Sequence, residues 1–351
     1  MVPRSEVVTG RTLTQRHLNR ALLDRQLLLE RATLSIPEAV ERVGGLQTQY
    51  APSGYVGLWT RLAAFERDAL TAALEDRSVI QATLMRTTIH LVSRREFWLY
   101  VAGVRRARRE WALRLPDTGA SAEAGLLAKA DQVRSALADG PKTVKELGEL
   151  GAGFVGNLGL WVDLVRVPPS GTWERRRADR LALAEDWVGP DGATEDEGLT
   201  HLVRAYLRAF GPAPWRDIAS WAGIPVGDAR RGGEGLALVE YRDDDGRPLV
   251  DLEGAALLDP DTPAPVRFLP HWDANLLVHA RRTGLLPEAY RPRVFSTKNP
   301  FSVGVYLVDG RVAGAWSLRD SRIELDPFEE LMTRDQRVVE RERDALEAFH
   351  A

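Results

Sequence analysis

The chain has 351 residues, a hydrophobic fraction of 44%, and 47 basic against 50 acidic side chains, for a net charge of −3. It holds no cysteine, which excludes disulfides, thiolate chemistry and cysteine-ligated zinc. No apolar run reaches the roughly 18 residues of a membrane helix, and Met1-Val2-Pro3-Arg4-Ser5-Glu6 forms no apolar signal core, so a cytoplasmic protein without membrane contact is expected.

The length suits two to four compact units. Thr14 is placed to cap a first helix over residues 16–29, with Leu18, Leu22, Leu23 and Leu27 at helical spacing. Ser35-Ile36-Pro37-Glu38 opens a second helix, with Ser as N-cap and Pro close behind; it is expected to run through Val43 towards Leu46 and Gln47. A third follows over residues 67–75. Residues 79–92, rich in β-branched side chains, read as two short strands broken near Met85-Arg86. Helices followed by such a ribbon describe an elaborated winged helix-turn-helix.

After an Ala/Gly-rich linker over residues 119–125, a second unit is expected. Its helices start near Gly140 and cover residues 158–165, and a turn with extended flanks follows over 165–177. A third unit repeats the order, with helices over 201–210, 215–221 and 225–230 and a hairpin around Asp243-Asp244-Asp245-Gly246. From Arg267 the chain turns β-rich. Residues 303–308 and 311–316 flank a favoured Asp309-Gly310 turn, and a charged helix over 334–349 closes the chain. The expected fold class is α+β: three tandem winged helix-turn-helix units with a β-rich, barrel-like C-terminal portion. The expected domain limits are 1–116, 117–190, 195–255 and 256–351.

The chemistry-bearing candidate is Gln47-Thr48-Gln49. Neither glutamine titrates, which excludes ordinary acid-base work, but each offers a carbonyl acceptor and two N–H donors able to hold a water or a sugar in one orientation. A polar helix end whose amides satisfy the local backbone also fits the tripeptide. Tyr50 and Tyr55 either lie near a substrate or staple the following turn. Arg86 and His90 alternate along one side of a strand that either faces phosphate or is a solvated wing.

Arg94-Arg95 and Arg105-Arg106-Ala107-Arg108-Arg109 form either a phosphate-contacting stripe or a solvated helix face. Residues 1–116 carry seven more basic than acidic side chains, while the whole chain is slightly acidic. A polyanionic partner therefore needs positive charge gathered locally. His271-Trp272-Asp273 invites a metal reading, but no second spaced ligand pair accompanies it. No metal and no cofactor are expected, and a structural or DNA-facing position remains for it. The 303–316 hairpin, with Arg311 after its turn, is either a groove probe or a plain sheet element.

Taken together, Gly45-Leu46-Gln47-Thr48-Gln49, Arg86-Thr87-Thr88-Ile89-His90-Leu91-Val92, the stretch from Leu269 to Leu277 around His271-Trp272-Asp273, and Asp309-Gly310-Arg311-Val312-Ala313-Gly314 resemble the AlkZ-like family of bacterial DNA glycosylases. The resemblance runs from about Thr14 to Phe349. It places this chain in the family's Gln-x-Gln branch, with Thr48 polar where an aliphatic residue is often found. It implies excision of alkylated purines from duplex DNA, N7-alkylguanine above all, including bulky adducts and interstrand crosslinks.

On that resemblance Gln47 and Gln49 are catalytic, orienting the attacking water and contacting the deoxyribose. Arg86, His90, Arg94, Arg95, Arg105, Arg106 and Arg311 are candidate DNA contacts, and Tyr50, His271, Trp272 and Asp273 lie near the substrate. The absence of a lysine near the glutamines in sequence favours a monofunctional enzyme over a Schiff-base lyase. Three units in one chain favour a monomer. The rival readings are a winged-helix transcription regulator without catalysis, and a catalytically dead resistance protein that sequesters alkylated DNA or the drug itself.

Overall fold

The computed structural model describes residues 8–114, 120–149, 161–277, 279, 284–295 and 302–351. Strand β1 (Val8–Leu13) leads into helix α1 (Gln15–Arg25), capped by Thr14, whose hydroxyl accepts the His17 N–H at 3.3 Å. The helix expected over 16–29 stops at Arg25, and Leu27 takes a φ of 56°. Helix α2 (Ile36–Arg42) starts in a capping box between Ser35 and Glu38. It does not continue to Gln47: Gly44 and Gly45 adopt φ of 76° and 82°, a conformation that glycine alone takes freely. The chain turns there into strand β2 (Leu46–Gln47).

Helix α3 (Ala51–Trp59) occupies the stretch that reads as a Pro/Gly/aromatic turn. Pro52 lies in its first turn, where a missing N–H costs nothing, and burial on nearly every side removes the amphipathic stripe that would have announced it. Helix α4 (Arg67–Glu75), strands β3 (Val79–Thr83) and β4 (Ile89–Ser93), and the tight turn Met85–Thr87 between them follow expectation. Helix α5 (Phe97–Leu113) comes next.

Helix α6 (Ala120–Leu137) replaces most of the expected linker, since alanine and leucine are strong helix formers. Strand β5 (Lys142–Thr143), helix α7 (Val144–Glu149), strands β6 (Leu164–Arg166) and β7 (Arg180–Leu183) and helix α8 (Ala184–Trp187) follow. The helix expected over 158–165 falls partly outside the described residues, and from Leu164 the chain is strand.

Helices α9 (Glu195–Phe210), α10 (Trp215–Ala222) and α11 (Val226–Gly233) and the hairpin β8 (Leu238–Asp243)–β9 (Pro248–Leu252) lie where helices and a hairpin are expected in this stretch. The remainder comprises β10 (Arg267–Leu269), α12 (Arg291–Val294), β11 (Gly304–Val308), β12 (Arg311–Arg319), β13 (Arg322–Pro327) and α13 (Thr333–His350).

These strands form three sheets. β2, β4, β3, β6, β7 and β5 lie in that order in one, because β3 and β6 pair antiparallel through Gln81 opposite Arg166 and Ala82 opposite Val165. The ribbons of the expected first and second units thus share a single sheet. The third-unit hairpin recruits β1 in parallel beside β8. The α+β class holds, but the barrel-like C-terminal portion does not: β10-β11-β12-β13 is an open antiparallel sheet among the described residues. Leu346 and Val339 of α13 are buried in the same apolar cluster as Phe268, Tyr306 and Trp316 of this sheet.

Candidate active site

Strand β2 places Gln47 directly opposite His90 of β4, which in turn lies opposite Ala82 of β3. Adjacent strand residues point to opposite faces. Thr48 accordingly leaves that face and accepts a hydrogen bond from Gln81 Nε2 at 3.1 Å. The residue between the glutamines is thus polar because it satisfies a buried amide.

Both glutamine oxygens are tethered to the β3–β4 hairpin, one at its turn and one at the start of β4. Gln47 Oε1 accepts from Arg86 Nη2 at 3.1 Å, and Gln49 Oε1 accepts from the Ile89 backbone N–H at 3.2 Å. Gln47 is 9% exposed, whereas Gln49 is exposed.

Arg86 lies in a turn, not on a strand face. Its φ of 52° and that of Thr87 at 57° are left-handed, a conformation that costs a non-glycine residue about 1 kcal/mol or more. The half-buried guanidinium also donates from Nη1 to the carbonyl of Trp221 in the last turn of α10. That helix end leaves carbonyls unpaired and carries partial negative charge, which compensates the cation. Burial nevertheless lowers the Arg86 pKa to about 10.

His90 is 2% exposed and donates from Nδ1 to the Thr88 carbonyl at 3.0 Å. Burial first, and the Arg86 charge second, push its pKa down to about 3. His279, also sealed, is lowered by burial and by the same arginine. Neither histidine is a cation at neutral pH, and neither lies on a solvated wing. Among the described residues, the Arg86 cation bonds Gln47 and the neutral His90 lies opposite it.

The rim is aromatic. Tyr50 lies edge-on to His271 at 6.0 Å between centroids, and His271 lies 5.9 Å from Trp316. His271 Nδ1 donates to the Ser302 carbonyl at 2.6 Å, and Ser302 Oγ accepts the Trp272 N–H at 2.7 Å. Asp273 departs from the rim. It is 5% exposed, accepts from Asn275 and pairs with Arg61 in a sealed network. Tyr55 is buried against Trp173 and bonded to Thr71, so it staples α3.

The expected arginine contacts are placed unequally. Arg94 donates to the Val188 carbonyl and Arg95 pairs with Glu41. Arg105 bridges Asp163 and Asp191, and Arg106 bridges Glu110, Glu195 and Asp228. Arg311 is exposed, but the hairpin tip beside it is docked on α1: Asn19 donates to the Gly310 carbonyl at 2.9 Å and Arg20 pairs with Asp309. That hairpin is a sheet element with a fixed tip.

The turn between β6 and β7 is expected from the sequence, but its arginines are not among the expected contacts. Arg176 there donates to Tyr50 Oη at 3.1 Å, and its guanidinium and that of Arg67 lie 5.7 and 5.0 Å from the Trp173 ring. Arg175 and Arg180 have no ion pair among the described residues, and Arg177 pairs only with Asp179. Thr143 of β5 lies opposite Arg180 in the register. The run Arg175-Arg176-Arg177 was the available signal. No group of three or more histidine, aspartate and glutamate side chains is disposed to hold a metal among the described residues, and none of their helices is long and apolar enough to cross a membrane.

The family model described as DNA glycosylase AlkZ-like matches residues 40–349. The chain is similar to the interstrand DNA cross-link repair glycosylase of Streptomyces sahachiroi, at 22% identity over 348 residues, 91% of this chain and 92% of that protein. It also resembles the solved structure of Streptomyces sahachiroi DNA glycosylase AlkZ, with a TM-score of 0.78 at 22% identity over 97% of each chain.

Proposed function

This chain belongs to the family of AlkZ-like DNA glycosylases, enzymes that hydrolyse N-glycosyl bonds of DNA, and we propose that it acts on alkylated purines in duplex DNA, N7-alkylguanine foremost. The observation that carries this reading is chemical. The polar groups at the centre of the site are amides, a neutral imidazole and the Arg86 guanidinium, with no carboxyl group bonded to either glutamine among the described residues. Such a site offers no carboxylic acid beside the glutamines to protonate a leaving base. An N7-alkylated guanine is already cationic and departs without that help, so positioning and dipole stabilisation suffice. Unmodified purines lack the built-in charge and are poor substrates.

In this reading Gln47 and Gln49 position the deoxyribose and the attacking water, and Tyr50, His271 and Trp272 border the target nucleotide. Arg175, Arg176 and Arg180 meet phosphates, joined by Arg311. No lysine contacts either glutamine among the described residues, which supports a monofunctional enzyme that leaves an abasic site. The name of the Streptomyces relative supports interstrand crosslinks as substrates. A monomer working in the cytoplasm is the simplest physiological form, and membership of a glycosylase family sets the transcription-regulator reading aside.

Incubation with a duplex carrying N7-methylguanine tests the proposal. Free base and alkali-labile sites are expected, and release no faster than spontaneous depurination sinks it.

A further inference from the structure

We propose that Arg86 is a positioning residue that locks the Gln47 amide with its oxygen turned inward, so that Gln47 offers the target nucleotide N–H donors and not a carbonyl. The inference rests on Gln47 being part of the active site and specifies what it does there.

The orientation follows from chemistry more than from coordinates. A guanidinium has five N–H donors and no acceptor, so the Gln47 atom 3.1 Å from Arg86 Nη2 must be the oxygen. A flipped amide would set N–H against N–H. Gln47 Nε2 has no hydrogen-bond partner among the described residues and is not one of the sealed, unpaired side-chain atoms. It is the group left for a ligand.

Arg86 is itself fixed from behind. Its other terminal nitrogen is held by the Trp221 carbonyl. Its left-handed backbone packs on Gly223, where an added Cβ would lie 3.1 Å from the Arg86 nitrogen. A strained residue held on both sides is a mark of a preorganised site. No carboxylate pairs with Arg86 among the described residues. The cation therefore draws on the α10 helix end and on the Gln47 oxygen, and in doing so polarises the amide and strengthens its N–H donors. His90, across the strand pair from Gln47, is neutral and cannot compete for that oxygen as a second cation.

The two glutamines then divide the work. Gln47 donates to an acceptor oxygen of the target nucleotide. Gln49 Oε1, which uses one lone pair on the Ile89 N–H, keeps the other for a water proton.

Gln47→Glu separates the two possibilities, because it keeps the shape and the Arg86 contact while exchanging the donor for an acceptor. Single-turnover excision of N7-methylguanine is expected to fall on the order of 10²-fold, with Kd for the duplex little changed. A rate equal to or above wild type overturns the inference. Arg86→Met is expected to lower the saturating rate without a matching change in Kd, and added guanidinium ion to restore part of it. A purely structural role would give neither the rescue nor the split. An Arg86→Met enzyme that is folded and excises at the full rate also overturns it. Wild-type enzyme is the discriminating control: no release by wild type refutes the alkylated-purine reading and this inference with it, whereas normal release by wild type and by Gln47→Glu refutes this inference alone.

Discussion

Arg61 and Asp273 form an ion pair sealed inside the protein, Nη2 to Oδ2 at 2.9 Å, with side-chain exposures of 1% and 2%. Gln26 accepts from both Arg61 and Asn275, and donates to the carbonyls of Val43 and Ala209. The network joins the end of α1 to the segment after β10. Removing one member of such a pair leaves a buried, uncompensated charge, so Asp273→Ala should cost about 3–5 kcal/mol in urea unfolding. The double variant Arg61→Met with Asp273→Leu should recover much of that stability. A double variant as unstable as the single one contradicts this account.

Thr48→Val removes the hydroxyl that accepts from Gln81 and keeps the shape. Gln81 is 3% exposed, so its amide is left without an acceptor, at a cost of roughly 1–3 kcal/mol. Thr48 faces away from Gln47 across the sheet, and the excision rate should change little. A large drop in rate at unchanged stability would show that the threonine serves catalysis directly.

Acid should destabilise the protein early. Burial holds His90 and His201 down to about 3 and His350 down to about 4, against about 6.5 in an unfolded chain. A base with a depressed folded pKa binds more protons when unfolded. Its stabilising effect is complete above about pH 6.5 and is lost as the pH falls towards the folded value. For the deeply buried His90 and His201 the slope is about 1.4 kcal/mol per pH unit each. Urea midpoints measured from pH 7.5 to pH 5 should drop steeply, and a folded His201→Gln variant should flatten the decline. A flat wild-type profile rules it out.

Salt dependence distinguishes free arginines from paired ones. Charge reversal or removal at Arg175 and Arg180, which have no ion pair among the described residues, should weaken duplex binding. It should also lower the slope of log Kd against log salt by about one for each phosphate no longer neutralised. Arg105→Gln should leave that slope unchanged and instead lower stability, since Arg105 bridges two aspartates. Equal slopes for all three variants contradict the assignment.

Much of the fold was legible because local signals and tertiary structure agree. Thr14 and Ser35 cap helices, Asp309-Gly310 turns a hairpin, and residues 79–92 make two strands broken at Arg86. Errors arose where burial or backbone conformation replaced periodicity. Buried on nearly every side, α3 shows no apolar stripe, and Ala-rich α6 looks like a linker. Two consecutive left-handed glycines put Gln47 on a strand instead of a helix end. The glutamine pair itself was visible, whereas the group that orients it was not. Arg86 reads as a phosphate contact because its compensating carbonyl, on Trp221, lies 135 residues away in sequence.

Strand β3 is flanked by β4 on one side and by β6 on the other. A fragment cut at residue 116 would keep both glutamines and strip the cover from one edge of β3, exposing a row of backbone donors and acceptors that promotes self-association. The same cut would remove Trp221, Asp251 and Asp273, on which Arg86, Arg25 and Arg61 depend. The motif is therefore not a portable cassette. Any redesign of the site has to retain the whole chain as its scaffold.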